Sequence, residues 1–273
     1  MSVAVIEPEV PPKLERKSML LQPAWPSAFW GLWSLTWRSQ LSLRRLRLLM
    51  VTLSVIPLLT YLTVDDERIR PYLHWVIDFY LLLLLPLYCL SVCGGMIRDE
   101  LQADTLGFLT TRPMTRAQFF LGKYVCQIVW LQILGAASGI LLLAAGFGRE
   151  IPGIAPFGAL FLGTQFLGIL SYGALSALLG LLNQRYMVLG IIYGFVVEMG
   201  IGRIPTNINN LSLSRHLRTL LANNDTVLNI YEWSPDKTFL SIIIMLAGAL
   251  TFLVVGAVVF TFKEYHHTEE MQK

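Results

Sequence analysis

Charge is what this sequence has least of. Asp, Glu, Lys and Arg make up 14% of its 273 residues, whereas 55% are hydrophobic. Soluble domains carry about 25% charged residues, so the composition excludes a soluble globular class and points to a membrane protein. Cysteine is also scarce. Cys89, Cys93 and Cys126 all sit in apolar runs, which argues against a disulfide framework. Cys89, Cys93 and Met96 share nearly one helical face and are soft ligands of the kind that suits copper(I), although small cysteines packing a helix seam are far commoner. The basic residues flank apolar spans instead of forming one stripe, so no nucleic-acid partner is expected. Gly122-Lys123-Tyr124 lacks the Ser or Thr of a phosphate loop, and Ala117 stands where its first Gly belongs. No HExxH, GxSxG or paired intramembrane Asp motif occurs, so the chain is not expected to be an enzyme, nor to hold a cofactor or metal. His266-His267 is weak evidence for a ligand site without a preorganised partner.

What is present is apolar and periodic. Six apolar runs lie at about 46–64, 74–97, 121–146, 157–182, 186–202 and 238–262, most near the roughly 20 residues that cross a bilayer. The fifth is short and carries Glu198. Pro57 and Pro86 are expected to kink the first two. The fold class is therefore all-α, a polytopic protein of six transmembrane helices occupying 46–262. Small residues recur as Gly135-x-x-x-Gly139, Gly173-x-x-x-Ala177 and Gly190-x-x-x-Gly194, a spacing that lets helices approach closely in lipid, within one chain or against a second copy. Ahead of the spans, residues 1–26, with Glu7, Pro8, Glu9, Pro11 and Pro12, are expected as a disordered cytosolic tail with no signal sequence. Over 27–47, Trp30, Trp33, Trp37 and Leu41 repeat on one side and Arg38, Ser39, Ser42 and Arg45 lie opposite. That pattern fits an amphipathic helix lying in the membrane interface, in contact with lipid.

With six spans and the N-terminus inside, fourteen of the 21 Lys and Arg residues fall on the cytosolic side. The positive-inside rule then puts both termini, including the tail 263–273, in the cytosol. The connection 203–237 falls outside, where Ser212 to Ala222 reads as a short surface helix and Tyr231 and Trp233 mark a resumed aromatic belt. Asp78 and Glu198 are the acidic residues deepest in the spans and the candidate translocation-path residues, since intramembrane carboxylates are costly and often functional. The bland alternative is that they reach outer water or pair with nearby Arg203 or a tyrosine.

The most polar stretch between two long apolar runs is Ile97 to Tyr124. Leu101, Thr105, Phe108 and Leu109 form one stripe of a short helix over 98–112. Arg112-Pro113 stops it, because the residue before proline is pushed out of the helical region. Thr115-Arg116-Ala117-Gln118 then has capping-box spacing and starts the next helix. Spacing alone is compatible with a docking ledge or with a loop lying on lipid headgroups.

Glu100, Asp104-Thr105-Leu106, Leu109, Arg112-Pro113, Thr115-Arg116 and Gly122-Lys123 resemble the signature of the type-2 exporter permeases of ATP-binding-cassette (ABC) transporters. The departure is Asp104, where that family more often has Gly. The resemblance implies a permease subunit of an ABC exporter with no nucleotide of its own; ATP and Mg would sit on a separate cytosolic ABC ATPase. It implies a second permease chain, identical or different, and a bacterial inner (cytoplasmic) membrane. It also implies that 98–112 is a coupling helix on which Glu100, Leu101, Thr105, Phe108, Arg112 and Arg116 engage the ATPase, and that 203–237 folds as short helices or re-entrant hairpins over the outer mouth. A separate periplasmic or accessory protein remains compatible with it. Two other classes stay open: a secondary transporter or channel using Asp78 and Glu198, and a membrane anchor that only recruits a partner.

Overall fold

The computed structural model describes residues 25–41, 55, 57–63, 69–98, 114–200, 207–233 and 237–262. Every regular element among these residues is helical. In chain order the principal ones are α1 (Trp25–Gln40), α2 (Ile69–Gly95), α3 (Arg116–Gly148), α4 (Ile154–Leu182), α5 (Tyr186–Tyr193), α6 (Leu213–Leu221), α7 (Asp225–Tyr231) and α8 (Thr238–Phe262), with a 3-10 helix over Asn207–Leu211 ahead of α6.

Helices α2, α3, α4 and α8 are long and apolar enough to cross a membrane. The protein is an all-α, multi-pass membrane protein. Helix α3 has 33 residues, about 50 Å at 1.5 Å per residue, and so exceeds a hydrocarbon core of about 30 Å. The fifth apolar run is shorter: α5 continues over Gly194–Gly200 as a wider π-helix, and its apolar portion ends at Glu198. Of the first run, only residues 55 and 57–63 are described.

Winding changes where Pro86 predicts a disturbance. From His74 to Leu84 α2 is a π-helix, and it becomes an ordinary α-helix at Leu85, whose N–H still reaches back five residues to the Tyr80 carbonyl. Pro86, which has no N–H to offer, stands in the first turn of the α-helical part, directly after the junction of the two windings.

Helix α4 is the hub, packed against α2, α3, α5, α6 and α8. Its small residues allow this. Gly173 faces Ile128 of α3 and Cys93 of α2, and Gly168 faces Leu217 of α6. The Gly135–Gly139 face of α3 receives Gln165 of α4: a Cβ on either glycine would lie 2.7 Å from its Nε2 or 2.6 Å from its Oε1, respectively. Gly190 faces Leu90 of α2, while Gly194 meets nothing within 4 Å. These small-residue motifs are thus spent on packing within the chain, Gly194 excepted.

Between α3 and α4 the chain turns tightly, with Gly153 at φ +82°, a conformation glycine adopts without steric cost. Arg149 at this turn lies over the Tyr61 ring, 4.1 Å from its centroid, and donates from Nε and Nη2 to the Tyr61 carbonyl at 3.0 and 2.6 Å. This clamp ties the segment 57–63 to the end of α3.

Candidate functional site

The bundle has two ends with different chemistry. At one, α2 finishes and α3 begins, so the ends of the segment 99–113 are rooted there; this is the ledge end. Gly94 and Gly180 let α2 and α4 cross backbone to backbone. Arg98 continues past the crossing and donates from Nε to the Gly180 carbonyl at 3.1 Å. On the other root, the Gln118 N–H donates to Thr115 Oγ1 at 3.2 Å and the Thr115 N–H to Gln118 Oε1 at 3.0 Å, so the expected capping box is present. Arg116 donates from Nη1 to the Thr261 carbonyl at 3.4 Å, joining α3 to the end of α8. Phe119 and Phe120 pack on Phe260 beneath it. Of the six candidate coupling residues, Arg116 is described; Glu100, Leu101, Thr105, Phe108 and Arg112 lie outside the described residues.

Helix α1 packs along this end of α3. The surface it turns to the protein carries Leu32, Thr36 and Gln40, all buried, flanked by Trp33 and Trp37. Leu32 fills the space over Gly122, Trp37 meets Trp130 edge-on at 5.4 Å, and Gln40 Nε2 donates to Gln127 Oε1 at 2.9 Å. Trp33 and Trp37 stack on each other at 5.2 Å. Trp30 points away, 69% exposed, with Leu41 and Arg38 also exposed. The tryptophan stripe is therefore divided: Trp37 packs on α3, Trp33 stacks on Trp37, and Trp30 faces away.

At the opposite, cap end, α6 and α7 are wedged between the long helices. Leu217 of α6 packs on Gly168, roughly 21 Å along α4 from Ile154 by the 1.5 Å rise. Seven residues of α6 are buried, among them Leu213, Ser214, His216 and Leu217. The expected surface helix is present over the expected residues, with Ser212 as its N-cap, but it is an inserted one. Periodicity reported its apolar face; burial of the polar one needed partners that periodicity does not name. His216 supplies one of these, with Nδ1 3.1 Å from Ser241 Oγ on α8 and Nε2 3.0 Å from the Asn210 carbonyl.

Glu198 belongs to this region. Its carboxylate accepts from Ser212 Oγ at 2.6 Å, the Leu213 N–H at 3.2 Å and the Ser214 N–H at 2.9 Å. It therefore sits on the N-terminus of α6, where unpaired N–H groups and the helix dipole favour an anion. Asp78, on the π-helical part of α2, accepts from the Tyr231 hydroxyl at 3.0 Å and lies 2.7 Å from His74 Nδ1. Tyr231 stacks on Trp233 at 4.2 Å, and Arg218 lies over that indole. Burial, and then the Asp78 charge, push the Tyr231 phenol well above its ordinary range, so it remains a donor. The two candidate path residues are not brought together; each holds a different part of the α6–α7 pair. The pairing of Glu198 with α6 went unread in the sequence, and the signal available was a carboxylate ending an apolar run a few residues before a Ser N-cap.

Midway between the ends, Tyr80 of α2 hydrogen-bonds Ser138 of α3 and accepts from Gln165 Nε2 of α4 at 3.1 Å, all three buried. The three cysteines are buried free thiols, and no cluster of metal-ligating side chains occurs among the described residues.

A comparison with curated proteins found no match. A family model described as ABC-2 family transporter protein matches residues 42–201, more than half of the chain. That range takes in α2 to α5 and the whole segment between α2 and α3 on which the resemblance rests. The protein belongs to the ABC-2 transporter family as a membrane permease, a transmembrane translocation subunit that is not itself an enzyme.

Proposed function

We propose that this permease is one half of the membrane part of an ATP-driven exporter, with six spans, both termini in the cytosol and an inner-membrane location. A second permease chain completes it, and a separate ABC ATPase docks on the coupling helix 98–112 of each. Glu100, Leu101, Thr105, Phe108, Arg112 and Arg116 make that contact, and closure of the ATPase pair tilts the spans. Docking does work only if its contacts differ between two states of the permease.

The observation that carries this reading is how firmly both roots of the 99–113 segment are held. The Gly94–Gly180 crossing and Arg98 tie one root to α4. The Thr115–Gln118 box and Arg116 tie the other to α3 and α8. A push that arrives at either root is thus delivered to long helices. Helix α1, laid along α3 with Trp30 turned outward, supports an interfacial helix that flanks the ATPase from the lipid side.

The test is a detergent pull-down of wild type beside Glu100→Arg with Phe108→Asp. An ATPase that co-purifies with wild type and is lost from the double variant is the expected result. A well-folded wild type that brings down no ATPase overturns the reading and favours ion flux through Asp78 and Glu198.

A further inference from the structure

We propose that α6 and α7 form a strap whose two ends are pinned by carboxylates of different spans, Glu198 on the α5 side and Asp78 on α2, so that a change in the spacing of those spans releases it. The proposal rests on the exporter reading for the motion that works the strap, but the strap itself stands on contacts within this chain.

The two attachments differ in kind. Glu198 holds the start of α6 through one hydroxyl and two backbone N–H donors. It is a charge on a helix N-terminus, and charge-assisted bonds of this sort are about twice as strong as neutral ones. Asp78 holds the end of α7 through one phenol, and its side chain is 44% exposed, so this attachment is weaker. Between them the strap rests on α8 through His216–Ser241 and through Asn223, which exchanges hydrogen bonds with Thr238. Asn224 caps α7 by accepting from the Thr226 and Val227 N–H groups, which keeps the two short helices as separate rigid pieces joined at 222–224.

Geometry makes the strap responsive to spacing. α5 buries no side chain and packs mainly on α2 and α4; its far end reaches the strap through Glu198 and through the Tyr193 hydroxyl, which donates to the Leu211 carbonyl at 3.4 Å. α2 has its wide π-helical winding where Asp78 and His74 sit. A strap attached at one end to the least buried apolar helix and at the other to a locally altered one loses an attachment when the two move apart. Neither carboxylate then has to touch the transported molecule to matter for transport.

The test uses Ser241→Cys, a near-isosteric reporter that is 4% exposed and lies under α6, in the full-length chain in lipid nanodiscs. Labelling by a membrane-impermeant maleimide reports strap opening; the native cysteines are buried. Tyr231→Phe, which keeps the stack on Trp233, is expected to raise the labelling rate about threefold, and Glu198→Ala about tenfold. Glu198→Gln, which keeps an acceptor oxygen, is expected to fall between wild type and Glu198→Ala. Elution profile and thermal midpoint accompany each variant, so that unfolding is not scored as opening. Labelling that stays at the wild-type rate in folded Tyr231→Phe and folded Glu198→Gln overturns the strap. With the ATPase bound, trapping with ATP and vanadate is expected to change the labelling rate of the wild-type strap but not of the Tyr231→Phe, Glu198→Gln pair. A hydrolysing complex in which nucleotide leaves the wild-type rate unchanged overturns the coupling of strap to stroke. Failure to capture an ATPase removes the exporter reading, while the labelling ratios still decide the strap.

Discussion

Gly94 and Gly180 are where α2 and α4 touch without side chains between them: a Cβ on Gly180 would fall 2.9 Å from the Gly94 Cα, inside van der Waals contact with backbone that cannot rotate away. Arg98 donates to the carbonyl of the same Gly180, so one small residue both admits the crossing and anchors the root of the 99–113 segment.

Gly180→Ala is therefore expected to cost about 2–3 kcal/mol through overpacking against backbone. Gly163→Ala is the control, because a Cβ there meets nothing within 4 Å and gains helix propensity worth up to ~1 kcal/mol. Thermal midpoints in detergent should move in opposite directions; a Gly180→Ala protein as stable as Gly163→Ala would show that the helices do not cross this closely.

The buried Tyr80–Ser138–Gln165 knot makes a prediction about order. Tyr80→Phe strands the Gln165 amide, whose Oε1 has no partner among the described residues, at a cost of about 1–3 kcal/mol. Gln165→Leu removes both polar atoms together and is expected to cost less, under ~1.5 kcal/mol. Midpoints ranked the other way round would mean that Gln165 is held by something other than Tyr80.

Thr115→Ala removes the side-chain half of the capping box that starts α3, with an expected loss of about 1 kcal/mol. Thr115→Ser keeps the hydroxyl and should restore the midpoint. If the serine variant is as unstable as alanine, the methyl group and not the cap is what Thr115 contributes.

Tyr231 supplies a pH prediction whose sign is set by the direction of its shift. Burial, then Asp78, raise the folded phenol above its unfolded value of about 10. Its stabilisation is fully present below that value and is lost as pH rises above it, because only the unfolded form releases the proton. The stability gap between wild type and Tyr231→Phe should be flat in this group's contribution from about pH 6 to 9 and narrow above about 10. Thermal melts across that range measure it; a gap that closes already between pH 8 and 9 would mean that the phenol is not shielded in this way.

Much of the local structure was legible in the sequence. The apolar runs that became α2, α3, α4 and α8 are long enough that composition alone identifies them. The Thr115–Gln118 box was readable because it is closed by residues three positions apart. The family resemblance, too, was carried by a single continuous stretch, inside the range that the family model matches.

Local sequence was thus enough for an all-helical membrane protein, its principal apolar helices and the capping box that starts α3. Tertiary structure alone decided which surfaces meet. Glu198 and Ser214 are 16 residues apart, Tyr80 and Gln165 are 85, and Asp78 and Tyr231 are 153. Over such separations, periodicity can identify the face on which a residue lies but not the group that face will meet. The division of the tryptophans in α1, the insertion of α6 and the use of both carboxylates as anchors all follow from that choice of partner, because a buried polar group must find a hydrogen bond wherever the packing places one.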